Sequence, residues 1–131
     1  MEQPKLTVIL ISGEMEKLHA GCLVSSVAAV SGMEVNIFVT MDALKAFRKD
    51  VIESKNFKTG EIGQEMLNKN VELFYQLLEN ARDMGTCNVY GCAMAMDLME
   101  WKKEDLVDVF DDIIGVTAFL GKAVGSQIIV M

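Results

Sequence analysis

Residues 5–12 read KLTVILIS, and the reading of this run decides the fold. Its apolar residues are continuous. A strand with one wet face alternates apolar and polar side chains, whereas a strand covered on both faces does not, and covered strands belong to parallel sheets. The run ends at Ser12-Gly13 and passes into EMEKLHAGCLVSSVAAVSG, residues 14–32, which has the length of a helix and Gly32 as its stop. Leu18, Cys22, Leu23, Val27 and Val30, with Ala28 and Ala29, make this helix apolar nearly all round. That pattern predicts burial on more than one side. Residues 33–40, MEVNIFVT, read as a second strand. Strand, helix and strand in this order form a right-handed βαβ unit.

The remaining chain repeats the alternation. MDALKAF, residues 41–47, is a short helix, and residues 48–63, polar and holding two glycines, are predicted as a flexible loop. Residues 64–85, QEMLNKNVELFYQLLENARDMG, predict one amphipathic helix. Leu67, Val71, Phe74, Leu78 and Ala81 recur at steps of three and four, and Gly85 ends it. TCNVY (86–90) is a third strand, CAMAMDLME (92–100) a short helix and KKEDLVD (102–108) a helical turn or two. VFDDII (109–114) is a short fourth strand, GVTAFLGKAVG (115–125) a helix and SQIIVM (126–131) a fifth strand. The expected fold is α/β: a three-layer α/β/α sandwich with a mainly parallel five-stranded sheet, residues 1–131 forming one domain. Ligand sites in such sheets lie beyond the carboxyl ends of the strands. The candidate positions are Ser12 to Met15, Thr40 to Asp42, Tyr90 to Cys92 and Ile114 to Thr117.

Composition excludes some functions. A net charge of -7 disfavours nucleic acid, since neutralising phosphates needs a basic surface. No stretch approaches the roughly 20 apolar residues of a spanning helix. The start, MEQPKLTVILIS, lacks a basic region before a short apolar run, so it is not a secretory signal and a cytoplasmic location is expected. Three cysteines, an odd number, argue against a disulfide framework. With His19 as the single histidine there is no zinc-ligand set, and the methionines lack the spacing of a copper site. No metal and no cofactor are expected. SGEMEK holds one glycine and does not make a phosphate-binding loop.

The chemistry then falls to NVYGCAMAMDLM, residues 88–99. Cys92 stands where a strand passes into a helix. Unpaired N–H groups at a helix start favour a thiolate, which is a nucleophile and a sulfur acceptor. Gly91 lets the backbone turn there and keeps bulk away. Met94 is core or the apolar wall of a pocket. Lys17 is either a solvated lysine or one that reaches the strand ends to hold an anionic sulfur. Equally, a free cysteine is one of the most buried residue types and serves as apolar filler. Cys22 and Cys87 read as core. A Cys87–Cys92 disulfide needs Cα atoms within about 7 Å, and an extended strand holds them about twice that far apart.

Two blocks of the chain, GMEVNIFVTMDAL and CAMAMDLMEWKKEDLVDVFDDIIGVTAFLGKA, resemble the DsrE/DsrF-like family of small sulfur-transfer proteins, in the branch labelled peroxiredoxin-like. The resemblance covers nearly the whole chain except residues 48–63. It implies a single α/β/α domain assembled into homo-oligomers, and it implies that Cys92 matches the sulfur-carrying cysteine of the family. Two positions depart from the pattern: Ala95 stands where a hydroxyl residue is common, and Thr40-Met41-Asp42 lacks the usual aromatic residue. The resulting expectation is a sulfur relay in which Cys92 accepts sulfane sulfur and passes it on. Gly91, Met94, Ser12, Lys17 and Thr40 would bind, and the partners would be sulfur donor and acceptor proteins or small sulfur compounds. The alternative is a non-catalytic oligomeric binding or assembly protein in which Cys92 is structural.

Overall fold

Thirteen short elements follow one another along the chain, and the computed structural model describes residues 3–131. Five strands, β1 (Lys5–Leu10), β2 (Glu34–Val39), β3 (Thr86–Cys92), β4 (Asp112–Ile114) and β5 (Gln127–Val130), form one sheet in the order β4-β3-β2-β1-β5. Every pairing is parallel. The expected α/β architecture with a parallel five-stranded sheet is therefore the one observed.

The pairing register fixes which side chains share a face. Leu6 lies beside Val35, Val8 beside Ile37 and Leu10 beside Val39, and these β2 residues lie in turn beside Cys87, Val89 and Gly91. Helix α1 (Met15–Val30) covers this face, with Gly21 resting on Leu10 and Val8. Alternation sends Thr7, Asn36, Phe38, Asn88, Tyr90 and Cys92 to the opposite face. Phe119 of α7 (Val116–Lys122) packs on the rings of Phe38 and Tyr90 there. The two faces follow from handedness. Strands β1 to β4 progress one way across the sheet, and the connection to β5 runs back, so right-handed crossovers place its helix on the other side.

Helix α1 differs from expectation. It buries Met15, Leu18, Cys22, Ser25 and Ala29, but Leu23, Val24, Val27 and Val30 are exposed. The chain supplies a partner for one side of this helix and leaves an apolar stripe on the other. Gly32 ends the helix as expected, in the left-handed conformation.

The predicted helix over residues 64–85 is two helices, α4 (Glu61–Asn68) and α5 (Phe74–Met84). Asn70 adopts left-handed geometry, its N–H donates to the Leu67 carbonyl and the Val71 N–H donates to the Met66 carbonyl. This is a helix stop in which asparagine takes the place usually given to glycine. The Gln76 side chain then accepts the Leu73 N–H and opens α5. The apolar period ran through the break because Leu67 and Phe74 serve the same core from separate helices.

The predicted loop over residues 48–63 is also corrected. It contains α3 (Lys49–Ser54), and α4 begins within it; α2 (Met41–Ala46) precedes it. Phe57 meets Phe74 edge to face at 5.5 Å, and Phe74 meets Phe47 in the same way at 4.9 Å. The Met15 N–H donates to the Lys58 carbonyl, and Glu16 Oε2 accepts the N–H groups of Gly60 (2.7 Å) and Gly63 (2.9 Å). A carboxylate from α1 thus occupies the positive amino end of α4 and ties the segment down. Any Cβ on Gly60 or Gly63 would collide with that carboxylate.

Phe74→Ala is expected to cost about 3–5 kcal/mol, as a large buried aromatic lost from a packed cluster, read from urea unfolding. The N–H of Gly63, the α1 backbone and the N–H of Gly60 hold the Glu16 carboxyl below its ordinary value of 4.5. A depressed folded pKa contributes stability above the unfolded value, lost as the pH falls through the folded one. Glu16→Gln should therefore lower the urea midpoint at pH 7, and its deficit against the wild type should close below pH 4.5.

Candidate functional site

Carboxyl ends of the parallel strands gather Ser12, Thr40, Cys92 and Ile114 on one edge of the sheet, as the register requires. Cys92 is the last residue of β3 and the N-cap of α6 (Ala93–Met99). It pairs with Ile114 of β4. Thr40 follows Val39, the partner of Gly91, so the register sets Thr40 alongside Cys92 on the face that carries α7. Thr40 is buried, and its N–H donates to the Leu10 carbonyl. Met94, two residues into the turn, is half exposed. The Cys92 residue itself is 2% exposed.

The other sequence candidates separate from this group. Ser12 joins β1 to α1, and its Oγ accepts the Glu14 N–H at 3.1 Å. Lys17 points to solvent and pairs with Glu14 at 3.7 Å. Gly91 serves a different purpose from the one expected. A Cβ there would meet Ile113, with Phe110 and Leu44 just beyond, on the α1 side. The glycine makes room for β4 packing on the face away from the thiol.

The three cysteines are free and buried, and two are poor nucleophiles. Burial, reinforced by the neighbouring Cys87, pushes the Cys22 thiol well above its ordinary range. Burial, with Asp111 adding to it and Arg82 opposing, pushes Cys87 up to about 12. Cys87 and Cys92 lie five places apart on one strand, so alternation turns them to opposite faces, which disfavours a disulfide between them. Among the described residues no group of three or more His, Cys, Asp or Glu could hold a metal ion.

Two of the surface clefts lie at opposite ends of the strands. A wide one of about 560 Å³ includes Cys87, Arg82 and Asp111 in its lining, at the amino end of β3. Its cation is spent: Arg82 donates to the Val109 carbonyl and to the Asp111 carboxylate, both at 3.0 Å. A smaller one of about 240 Å³ lies at the carboxyl end of β1, between Ser12-Gly13, α2, α3 and the segment 56–58. Sequence reasoning named Ser12 and Asp42 at this edge but missed Lys45, Asn56 and Lys58. Those three come from segments that touch only after folding.

Among the described residues no helix is long and apolar enough to cross a membrane. Residues 52–131 match the DsrE/DsrF/DrsH-like family. The chain is 30% identical over 151 aligned positions to the uncharacterized protein YrkE of Bacillus subtilis strain 168, with 93% of each chain covered. Its fold is similar to that of the ychN protein from E. coli, with a TM-score of 0.68 at 16% identity, covering 99% of this chain and 100% of that one. It is also similar to MTH1491, a protein of unknown function from Methanobacterium thermoautotrophicum, with a TM-score of 0.60, 12% identity and coverage of 99% and 100%. On the matched residues and the shared length, the chain is a member of the DsrE/DsrF/DrsH-like family.

Proposed function

We propose that this protein is a cytoplasmic sulfur carrier, acting as one domain, and that Cys92 is its sulfur-bearing residue. The observation that carries this reading is the place of the residue: Cys92 stands at the N-cap position of α6, its side chain making no capping hydrogen bond, at the carboxyl edge of a parallel sheet, where such folds bind their ligands. The upward shifts of the Cys22 and Cys87 thiols support it, since they disfavour the thiolate at those two positions. Family membership supports the same chemistry. In the step envisaged, the Cys92 thiolate attacks the outer sulfur of a donor persulfide. A new S–S bond forms, the donor S–S bond breaks and the donor leaves as thiolate. An acceptor thiolate then takes the outer sulfur, and Cys92 leaves as thiolate. Thr40 and Met94 flank the sulfur in this scheme, and Gly91 acts only through packing. Ser12 and Lys17 have no direct part.

At 2% exposure the residue is covered at rest, so transfer requires a donor or acceptor to displace what covers it. Met94 and Met41, both half exposed at this end, are flexible side chains suited to repacking against a partner. Burial also favours a second reading, an oligomeric binding or assembly protein with a structural Cys92. The exposed apolar stripe of Leu23, Val27 and Val30 on α1, and Val116 and Leu120 of α7 with Val124 just after it, would provide its contacts.

Two measurements separate the readings. In native protein at pH 7, an aromatic disulfide reagent should modify Cys92 first and leave Cys22 and Cys87 unmodified until the protein unfolds. After incubation with a small persulfide donor, intact mass should rise by one sulfur, about 32 Da, and the gain should vanish in Cys92→Ser. A gain that survives this substitution, or none in the wild type, ends the carrier reading and leaves the assembly protein.

A further inference from the structure

The smaller cleft belongs to neither reading so far. Ser12, Gly13, Asp42, Lys45, Ala46, Val51, Asn56, Phe57 and Lys58 bound it, and Cys92 is not among them. Its wall residue Phe57 packs on Phe74 of α5, on the side of the sheet that α1 covers. Cys92 lies in register with Phe38 and Tyr90 on the α7 side. The cleft and the Cys92 side chain therefore lie on opposite faces of the sheet.

Three features give the cleft the character of a binding site. First, its wall is pre-formed. The segment 56–58 is tied to α1 by the Met15 N–H on the Lys58 carbonyl, by the Glu14–Lys58 pair at 3.9 Å and, just beyond, by Glu16 on Gly60 and Gly63. Second, Gly13 and α2 meet so closely that a Cβ on Gly13 would lie 2.9 Å from the Asp42 carbonyl oxygen, which fixes the inner end. Third, the lining is chemically divided. Ala46, Val51 and Phe57 give an apolar patch, while Lys45 and Lys58 outnumber Asp42. That positive bias stands in a chain of net charge -7. Lys58 shares its charge with Glu14, whereas Lys45 has no ion-pair partner among the described residues.

We propose that this cleft binds a small organic anion, with its carboxylate or equivalent group at Lys45 and a short apolar body against Ala46, Val51 and Phe57. The Ser12 hydroxyl and the Asn56 amide are the neutral donors. The volume of about 240 Å³ sets the ligand below drug size. The position, at the carboxyl end of β1, is one where open parallel sheets bind ligands.

Amide chemical-shift titration of the whole chain tests this with two probes of the same branched body, 4-methylpentanoate and isopentylamine. The anion should give saturable shifts at Gly13, Asp42, Lys45 and Phe57, and the amine should not. Lys45→Glu should weaken the anion about tenfold or more, the loss of one charge-assisted contact. Lys45→Gln, which keeps the chain length, should lose affinity in the same sense. Lys102→Glu, an exposed lysine outside the cleft, should leave it unchanged. The proposal is overturned if the anion gives no saturable shifts there, if the amine binds as tightly, or if both Lys45 variants bind like the wild type. Because the readout is independent of Cys92, it stands or falls apart from the sulfur-carrier reading.

Discussion

The packing of α1 and α5 on one face of β1, β2 and β3 is the contact on which the rest depends. Leu6, Val8 and Leu10 run beside Val35, Ile37 and Val39, and those beside Cys87 and Val89. Against them lie Leu18, Cys22 and Ala29 of α1 and Leu78 of α5, all buried. Each fully buried aliphatic chain contributes about 1.5–3 kcal/mol, so this block fixes the strand register. A slip of one residue in β3 would exchange the faces of Val89 and Tyr90 and send Cys92 into the α1 layer. The place of the thiol is a by-product of hydrophobic burial some distance away.

That block also makes the two faces unequal. One carries α1 and α5 across most of its width, while the other carries the seven-residue α7. Phe119 closes the middle of the second face on Phe38 and Tyr90. Beside it a polar row continues inside: Thr7 meets Ser126 at 2.6 Å, and the Asn88 amide donates to Asn36 at 3.1 Å. Ile128 and Val130 of the edge strand remain exposed on the same side. The Cys92 side chain thus lies on the α7 face and the smaller cleft on the α1 face.

All three cysteines are buried. Cys22 and Cys87 lie on the α1 face, where loss of water disfavours the charged form. They are apolar filler with a sulfur atom. Cys92 is also covered, at the end of its strand and at the N-cap position of α6.

Local sequence determined a good deal. Continuous apolarity in KLTVILIS pointed to a parallel strand covered on both sides, and the order of elements, with MEVNIFVT as the second strand, to right-handed crossovers. It also set Cys92 at a strand-to-helix junction, because that follows from where β3 ends. The break at Asn70 was written in the sequence, in a residue that tolerates left-handed geometry, but the apolar period ran past it. Tertiary structure alone decided the rest. Glu16 tying Gly60 and Gly63, Phe57 on Phe74, and Lys45 facing the same cleft as Lys58 are contacts between distant segments. The same holds for the purpose of Gly91, whose missing side chain admits Ile113 from the next strand along the chain. Periodicity reports how a segment meets water. Which other segment covers it depends on the sum of packing over the whole chain, and no local pattern carries that sum.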